Sequence, residues 1–477
     1  MAAGSEPVYL TEDIRRIEAA AGEAHPPLME RAGRAAADWA VQLAGDRGKD
    51  ILVLAGPGNN GGDARIAARI LEERFFRVHV ADAASAAGLP TDTHWALVID
   101  GLFGIGLARD LAGDYARLVE YANSRRCPIL SLDIPSGLAS DTGRILGSAV
   151  RATHTLTFIA LKPGLLTLDG PDTCGEVRVA DLGLEVRTLL PPTGWVAGPG
   201  LLPNSLKPRP SNFHKGNAGS LGIIGGAKGM CGAALLAGRA ALKLGAGKVF
   251  VGLLDPSAPS FDPGALELML RHPEDVLGLD LDALVVGPGL GESEKAEALL
   301  GAALASDIPC VMDADALNLL AQSDDLRQAC LRRKADTIIT PHPAEAARLL
   351  GAPTPSVQAD RLAAARQLRE RYNADVVLKG NGSMLVARDG HWFVNTSGNP
   401  GMASAGMGDV LSGMLGALLA QGLSGETALV LGTHLHGAAA DDCVTRSMGP
   451  GGLTAGELPD AARRLWNAWL RPRAPAP

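Results

Sequence analysis

A chain of 477 residues is too long for one ordinary domain and suggests two or three. Hydrophobic residues make up 47% and charged residues 20%, and the 59 glycines and 31 prolines are scattered, which suits a globular protein with tight turns and excludes a disordered polymer. A formal net charge of -8 argues against a nucleic-acid-coating surface but leaves room for a bound nucleotide, which local amides and a few cations can hold.

In chain order, residues 1–45 carry apolar positions at helical spacing, with Leu28, Met29, Ala32, Ala36 and Trp39 on one face. From Lys49 the pattern changes. Ile51 to Leu54 reads as a strand, Gly56 to Gly62 as a glycine loop, Asp63 to Arg74 as a helix and Arg77 to Val80 as another strand. This β-loop-α-β unit implies a parallel sheet. Ala96 to Ile99 then leads into Asp100, Ile129 to Leu132 into Asp133, and Thr155 to Ile159 towards Lys162. Ligands of open α/β sheets sit outside the carboxyl ends of the strands, so Asn59, Asn60, Asp100, Asp133 and Lys162 are expected to converge on one crevice.

The strongest linker signal runs from about Leu189 to Pro210, rich in Pro and Gly, and places a boundary near Leu201. The expected domains are residues 1–200 and 201–477. The second is again α/β, with strands at Ser220 to Ile224, Lys248 to Gly252, Ala283 to Val286, Cys310 to Met312, Thr337 to Ile339 and Val376 to Leu378. A hairpin from Ser383 to Val394 turns at Asp389-Gly390. The six cysteines show no CxxC or zinc-like spacing, no apolar run reaches bilayer length, and the start of the chain lacks a secretory pattern. Reduced thiols, a cytoplasmic location and no membrane partner are expected. The closing Arg-Pro-Arg-Ala-Pro-Ala-Pro reads as a frayed tail.

In the first half, Gly56-Pro57-Gly58-Asn59-Asn60-Gly61-Gly62-Asp63 follows a strand. Glycines let the backbone approach a ligand, and amides at the start of the following helix favour an anion. The spacing is not the GxGxxG dinucleotide fingerprint, and Asp63 reads equally as a helix N-cap. Amide oxygens of Asn-Asn suit a hard cation or a polar ligand. Asp100 and the Asp133-Ile134-Pro135-Ser136-Gly137 turn add further oxygens, each of which alone could simply cap a turn.

In the second half, Gly398 to Asp409 leads into a helix from Val410 to Gln421. Small residues before a helix N-terminus leave amides free for an anion. Asp409 in the first turn is placed to take a proton from a hydroxyl attacking a phosphoryl group. Gly287 to Gly291 forms an uncrowded loop, Lys379 to Ser383 offers a cation and amides, and Asp313 and Asp315 read either as outer-sphere magnesium ligands or as helix caps. His342 sits in a rigid Pro-His-Pro turn, and the spacing of Gly408, Ser412 and Gly416 suggests close helix packing. His434 and His436 do not share a helix face, so a metal site there is not expected.

Together these motifs carry a resemblance to two families. Gly-Asn-Asn-Gly-Gly-Asp, Val-Ile-Asp-Gly-Leu-Phe-Gly-Ile-Gly-Leu, Asp-Ile-Pro-Ser-Gly and Phe-Ile-Ala-Leu-Lys-Pro-Gly resemble the NAD(P)H-hydrate epimerase domain, which implies a Rossmann-like fold. The resemblance implies that Asn59, Asn60, Gly61, Gly62 and Asp63, with Gly104, Ile105, Gly106, Leu107, Ala108, Arg109 and Asp110, hold the substrate. By the same resemblance, Asp133 would lie near the hydrated ring, and Asn60, Asp100 and Ser136 would hold a potassium ion. One departure is Ala64, where the family has glycine.

His-Lys-Gly-Asn, Gly-Pro-Gly-Leu-Gly, Asp-Ala-Asp-Ala-Leu-Asn, Thr-Pro-His-Pro, Leu-Lys-Gly and Gly-Met-Gly-Asp resemble the NAD(P)H-hydrate dehydratases of the ribokinase-like superfamily. This implies that Lys379, Gly380, Asn381, Gly382, Ser383 and Gly408 bind ADP or ATP with magnesium, and that Ala233, Gly289, His342 and Asp409 contact the hydrated nicotinamide. The catalytic candidates are Asp133 and Asp409. The expected protein is an α/β enzyme and a homo-oligomer. It repairs hydrated NADH and NADPH by interconverting the R and S forms and dehydrating the S form. The rival readings are a small-molecule kinase, and a dehydratase with a non-catalytic first domain.

Overall fold

A computed structural model describes residues 5–22, 24–45, 49–202, 208–447 and 449–471. The middle of the expected linker, residues 203–207, and the closing run after Arg471 lie outside the described residues. The chain divides into two compact units, one spanning Glu6–Trp195 and the other Val196–Pro477 with the first residues of the chain. The division falls a few residues before Leu201.

The first unit is built on six parallel strands: β1 (Asp50–Ala55), β2 (Arg77–Ala81), β3 (Trp95–Gly101), β4 (Ile129–Leu132), β5 (His154–Phe158) and β6 (Glu176–Ala180), in the order β2-β1-β3-β4-β5-β6. A parallel sheet must be covered on both faces, and the alternation of the strands shows how. Ile51, Val53, Leu97 and Ile99 face a core shared with helices Leu28–Ala44 and Asn59–Glu73. Leu52, Leu54, Val98 and Ile129 point the other way, against helix Gly113–Asn123. Gly33 allows the first two helices to meet, because a Cβ there would lie 2.4 Å from Ile66 Cγ2. The sequence reading missed β6, whose Glu-Val-Arg-Val-Ala pattern is half exposed at the sheet edge.

Two helix starts differ from expectation. The helix expected from Val410 begins at Met407, and the helix after β1 begins at Asn59, not Asp63, with Gly58 as its N-cap. Asn59, Asn60 and Gly61 therefore form the opening turn rather than a loop, and Asp63 is inside the helix and caps nothing. Ala64 is also within the helix and fully buried, so the missing glycine needs no special backbone conformation.

The second unit carries β7 (Ser220–Gly225), β8 (Lys248–Leu253), β9 (Met269–Arg271), β10 (Ala283–Val286), β11 (Cys310–Met312), β12 (Thr337–Ile339), β13 (Asp375–Leu378), β14 (Ser383–Val386) and β15 (Trp392–Asn395). Their order is β15-β14-β13-β12-β11-β10-β7-β8-β9, parallel from β9 to β13 and antiparallel through the β13-β14-β15 meander. The hairpin turns at Asp389-Gly390 as expected, closed by Ala387 N donating to His391 O at 2.8 Å. Helix Met407–Ala420 has twelve of its fourteen residues buried, the state expected of a helix that is apolar all round. Gly413 and Gly416 let it press against Ala237 O and Val285.

In both units the strand order reverses once, between β1 and β3 and between β7 and β10. These are the topological switch points where α/β sheets open a crevice.

Candidate active sites

At the first switch point, a cleft of about 320 Å³ is lined by Pro57, Gly58, Asn59, Asn60 and Asp63 from the β1 side and by Leu102 to Leu107 after β3. Asp133 and Phe158 close it at the ends of β4 and β5, and Ile14, Arg15 and Glu18 come from helix Thr11–Ala21. The glycines fix this geometry. A Cβ at Gly61 would lie 1.9 Å from Gly56 O, and one at Gly104 would lie 2.9 Å from the Asp133 carboxylate. Of the expected substrate-binding set, Gly61 and Gly62 support the cleft from behind. Ala108, Arg109 and Asp110 are exposed and do not line it.

Three buried carboxyl groups stand here in different surroundings. Asp100 is fully buried and accepts from four donors: Ser131 Oγ at 2.8 Å, Ser136 N at 2.9 Å, Ser136 Oγ at 2.6 Å and Leu102 N at 3.3 Å. Burial nevertheless pushes its carboxyl above the usual range against those donors. Asp133 has a left-handed backbone, φ +65°, which turns its carboxylate back over the strand ends. It takes Lys162 Nζ at 2.5 Å and Ile105 N at 3.3 Å. Lys162 has no exposed surface and its remaining protons go to Thr157 Oγ1 at 2.8 Å and Phe158 O at 2.7 Å. It lies behind Asp133 and does not line the cleft.

Asp63 is the third. Burial, then the nearby carboxylates of Asp133 and Glu18, push it up to about 8. Among the described residues no donor reaches it. Asn60 is buried with both side-chain amide atoms lacking a protein partner, a state that native structures leave for a ligand or ion.

Sequence reading named Asp100, Asp133 and Asn60 with Ser136 and Lys162, but passed over two further supports. Ser131 and Thr157 were legible as polar residues inside otherwise apolar buried strands. Glu18 and Arg15 had no signal, since a charged helix face is normally solvated.

In the second unit, Gly406 in the left-handed conformation, φ +87°, starts helix Met407–Ala420, so Asp409 sits in the first turn among amides with no intrahelical acceptor. Burial, reinforced by Asp313 and opposed by Lys379, pushes Asp409 up to about 6. Asp313 follows β11 and is turned by Ala314, whose φ is +49°, a costly conformation for alanine. It accepts from Lys379 Nζ at 2.9 Å and from Ser412 Oγ at 2.7 Å. Burial alone would raise Asp313, but the Lys379 ammonium holds it below the usual carboxylate range. A Cβ at Gly408 would come within 3.2 Å of the Asp313 carboxylate and 3.3 Å of Lys379 Nζ, so the loop after β13 and the helix start share one concavity.

The expectation that Gly408, Ser412 and Gly416 merely pack is corrected. Gly416 packs, whereas Ser412 and Gly408 face the Asp313–Lys379 pair. Around them, Gly289 reaches Ala233, whose Cβ would be 3.3 Å from a Cβ at Gly289, and the Gly289 carbonyl accepts from Ala227 N at 2.6 Å. His342 caps helix Pro343–Leu350: its Nδ1 accepts from Ala344 N at 3.1 Å and Glu345 N at 3.3 Å, while Glu345 Oε2 accepts from His342 N at 2.7 Å. Burial and then the Lys379 charge lower its pKa; with Nδ1 accepting, Nε2 carries the hydrogen and lies 3.4 Å from Glu345 Oε1. Gly380 to Ser383 form the β13-β14 turn, held from below by Arg361, which donates to Asn381 O at 2.6 Å and Leu378 O at 3.2 Å. Arg361 went unnoticed in the sequence because a helix-start arginine is normally a surface residue.

The family model for NAD(P)H-hydrate dehydratase matches residues 221–462, and that for the YjeF-related protein N-terminus matches residues 26–96 and 82–164. The chain is 38% identical to the bifunctional NAD(P)H-hydrate repair enzyme Nnr of Escherichia coli, over 96% of this chain and 94% of that protein. It is 37% identical to the protein of the same name from Coxiella burnetii, over 96% and 99%. Among solved structures, an ADP/ATP-dependent NAD(P)H-hydrate dehydratase from Bacillus subtilis, crystallised with ATP and Mg2+, matches with a TM-score of 0.50 and 30% identity. That match covers 55% of this chain and 94% of that one. Relatives that span both units leave no support for the small-molecule kinase reading, which gave the first unit no role.

Proposed function

This chain belongs to the bifunctional NAD(P)H-hydrate repair enzymes, and from that premise we propose how its two units divide the work. Residues 6–195 interconvert the R and S hydrates of NADH and NADPH. Residues 196–477 dehydrate the S form at the expense of ADP or ATP. The observation that carries this reading is the pairing of a half-shielded carboxyl, Asp409, with an amide-rich helix start beside a buried Lys–Asp pair.

In the second unit Asp409 accepts the proton of the ring hydroxyl as it attacks a phosphoryl group. With its pKa at about 6 the carboxylate is ionised at neutral pH yet basic enough to matter. The resulting phosphate ester is a good leaving group. The ring nitrogen expels it, and loss of a proton from the neighbouring carbon restores the dihydropyridine. Ala233, Gly289 and the Nε2–H of His342 position the nicotinamide. Lys379, the Gly380 to Ser383 turn and Gly408 hold the nucleotide. The absence of a side chain at Gly408 keeps the space between helix and pair open, which fits a phosphate chain. A magnesium ion bound with the nucleotide supplies charge neutralisation at the phosphates. Asp313 orients Lys379 through their 2.9 Å contact.

In the first unit the hydroxyl departs with help from the ring nitrogen, and Asp133, held in place by Lys162, handles the proton. Substrate lies across Asn59 to Asp63 and Gly104 to Leu107, with Ala108 to Asp110 at its outer edge. The unpartnered Asn60 amide and the buried Asp100, which has no cationic side chain as partner among the described residues, fit a monovalent cation. Asn60, Asp100 and Ser136 would hold a potassium ion, which would supply the charge that compensates Asp100.

No described helix is long and apolar enough to cross a membrane. Six free cysteines agree with a reducing, cytoplasmic setting. The homo-oligomeric state belongs to the proposal and is read by light scattering. The function is tested by giving the purified chain a mixed R/S hydrate preparation with ADP. Full recovery of NADH absorbance is expected once spontaneous epimerisation is subtracted. Recovery without nucleotide, or stalling when the S form is spent, would overturn it.

A further inference from the structure

We propose that Asp63 is a second catalytic residue of the epimerase cleft, the acid that protonates the departing hydroxyl on one face of the hydrated ring while Asp133 serves the other. This rests on the epimerase reading of the first unit. In the sheet order, β1 and β4 flank β3. Asp63, on the helix that follows β1, and Asp133, at the end of β4, therefore enter the cleft from either side of the Leu102 to Leu107 loop. Inversion at one carbon requires that water leave from one face and arrive at the other, and two carboxyl groups on separate walls meet that need.

Their surroundings assign the roles. Asp133 is paired with Lys162 Nζ at 2.5 Å, a neighbour placed to accept the charge balance when a proton is taken from water. Asp63 is buried in the opening turns of its helix, with no donor among the described residues and with Asp133 and Glu18 as its charged neighbours. Arg15 and Glu18 line the same cleft; partial burial and then Asp133 raise Glu18 as well, but its side chain is solvent-exposed whereas that of Asp63 is buried. A carboxyl pushed up to about 8 keeps its proton at neutral pH and can give it away.

The step balances. The Asp63 proton passes to the hydroxyl oxygen, and the C–O bond breaks with both electrons leaving in water. The nitrogen lone pair forms a C=N bond, giving an iminium cation and the Asp63 carboxylate. A solvent water then attacks the opposite face. Its oxygen lone pair forms the new C–O bond, the C=N electrons return to nitrogen, and its proton goes to Asp133. The two residues have exchanged protonation states, so the enzyme resets through solvent exchange or by running the opposite inversion.

The test follows epimerisation of the isolated R hydrate by the full chain in water enriched in oxygen-18, for the wild type and for Asp63→Asn. The expected result is one heavy oxygen in each inverted product, above the uncatalysed background. The variant should lose about 10²- to 10⁴-fold in rate, with near-UV circular dichroism of Trp39 and Trp95 unchanged. An Asp63→Asn chain that folds and epimerises at the wild-type rate would overturn the proposal. Wild-type product without label would also overturn it, since one water would then be carried around the ring, and this readout does not depend on the variant folding. A wild-type chain that does not epimerise at all would overturn the epimerase reading itself, a distinguishable outcome.

Discussion

The two sites solve the same problem, keeping carboxyl groups in low dielectric, in different ways. In the first cleft the carboxyls are separated by environment: Asp100 is saturated with hydroxyl and amide donors, Asp133 is paired with a lysine, and Asp63 has neither. In the second site one lysine serves three carboxylates. Lys379 binds Asp313 at 2.9 Å, reaches Glu345 at 4.0 Å, and its charge partly restrains the rise of Asp409. The first arrangement places carboxyl groups in different surroundings, one of them pushed up to about 8, which suits moving a proton between faces. The second yields one strong cation beside one tuned base, suited to phosphoryl transfer.

Substitutions separate the two most sharply. Asp409→Asn should cost about 10²- to 10⁴-fold in nucleotide-dependent dehydration and leave epimerisation of the R hydrate intact. Asp133→Asn should do the converse, with a smaller apparent loss because uncatalysed epimerisation supplies a floor. Separate assays on purified R and S hydrates check both.

Lys162→Met should destabilise the first unit by about 3–5 kcal/mol, because it leaves a buried carboxylate without its cation. Urea unfolding followed through Trp39 and Trp95 measures this. A pH effect of similar order is expected at Asp63. The native pKa of Asp63 lies at about 8 against an ordinary value of 3.8. The folded state therefore holds a proton that the unfolded chain releases across that window. Stability from this group is fully present below about pH 4 and is lost as pH rises towards 8, and Asp63→Asn should flatten that slope. The smallest effect is expected at Arg361→Met, which loosens the Asn381 and Leu378 carbonyls. A rise in the KM for ADP of about tenfold, equivalent to about 1.4 kcal/mol, with little change in kcat, would mark it as a positioning residue.

Much of this was legible in the sequence because short apolar runs ending in Asp, Asn or Gly mark the carboxyl ends of parallel strands. β10, β11 and β12 match the sequence reading residue for residue, and Asp100, Asp133 and Lys379 stand at strand ends as expected. What escaped was of two kinds. Edge strands such as Glu176–Ala180 and Met269–Arg271 bury too little to write an apolar pattern. Supporting residues, among them Ser412, Arg361 and Glu18, are brought to their sites by tertiary packing, and their local sequence carries a more ordinary explanation. The start of the helix at Asn59 was missed because two glycines inside a first turn read as loop.

The central claim is that one chain carries two independent carboxylate-centred sites acting in sequence. Its most direct test mixes the Asp133→Asn and Asp409→Asn chains with an R/S hydrate mixture and ADP. The first alone should stop once the S form is consumed, apart from background epimerisation, and the second alone should form no NADH. The mixture should convert both epimers completely. Full conversion by either variant alone, or a mixture that stalls where Asp133→Asn stalls, would contradict the account.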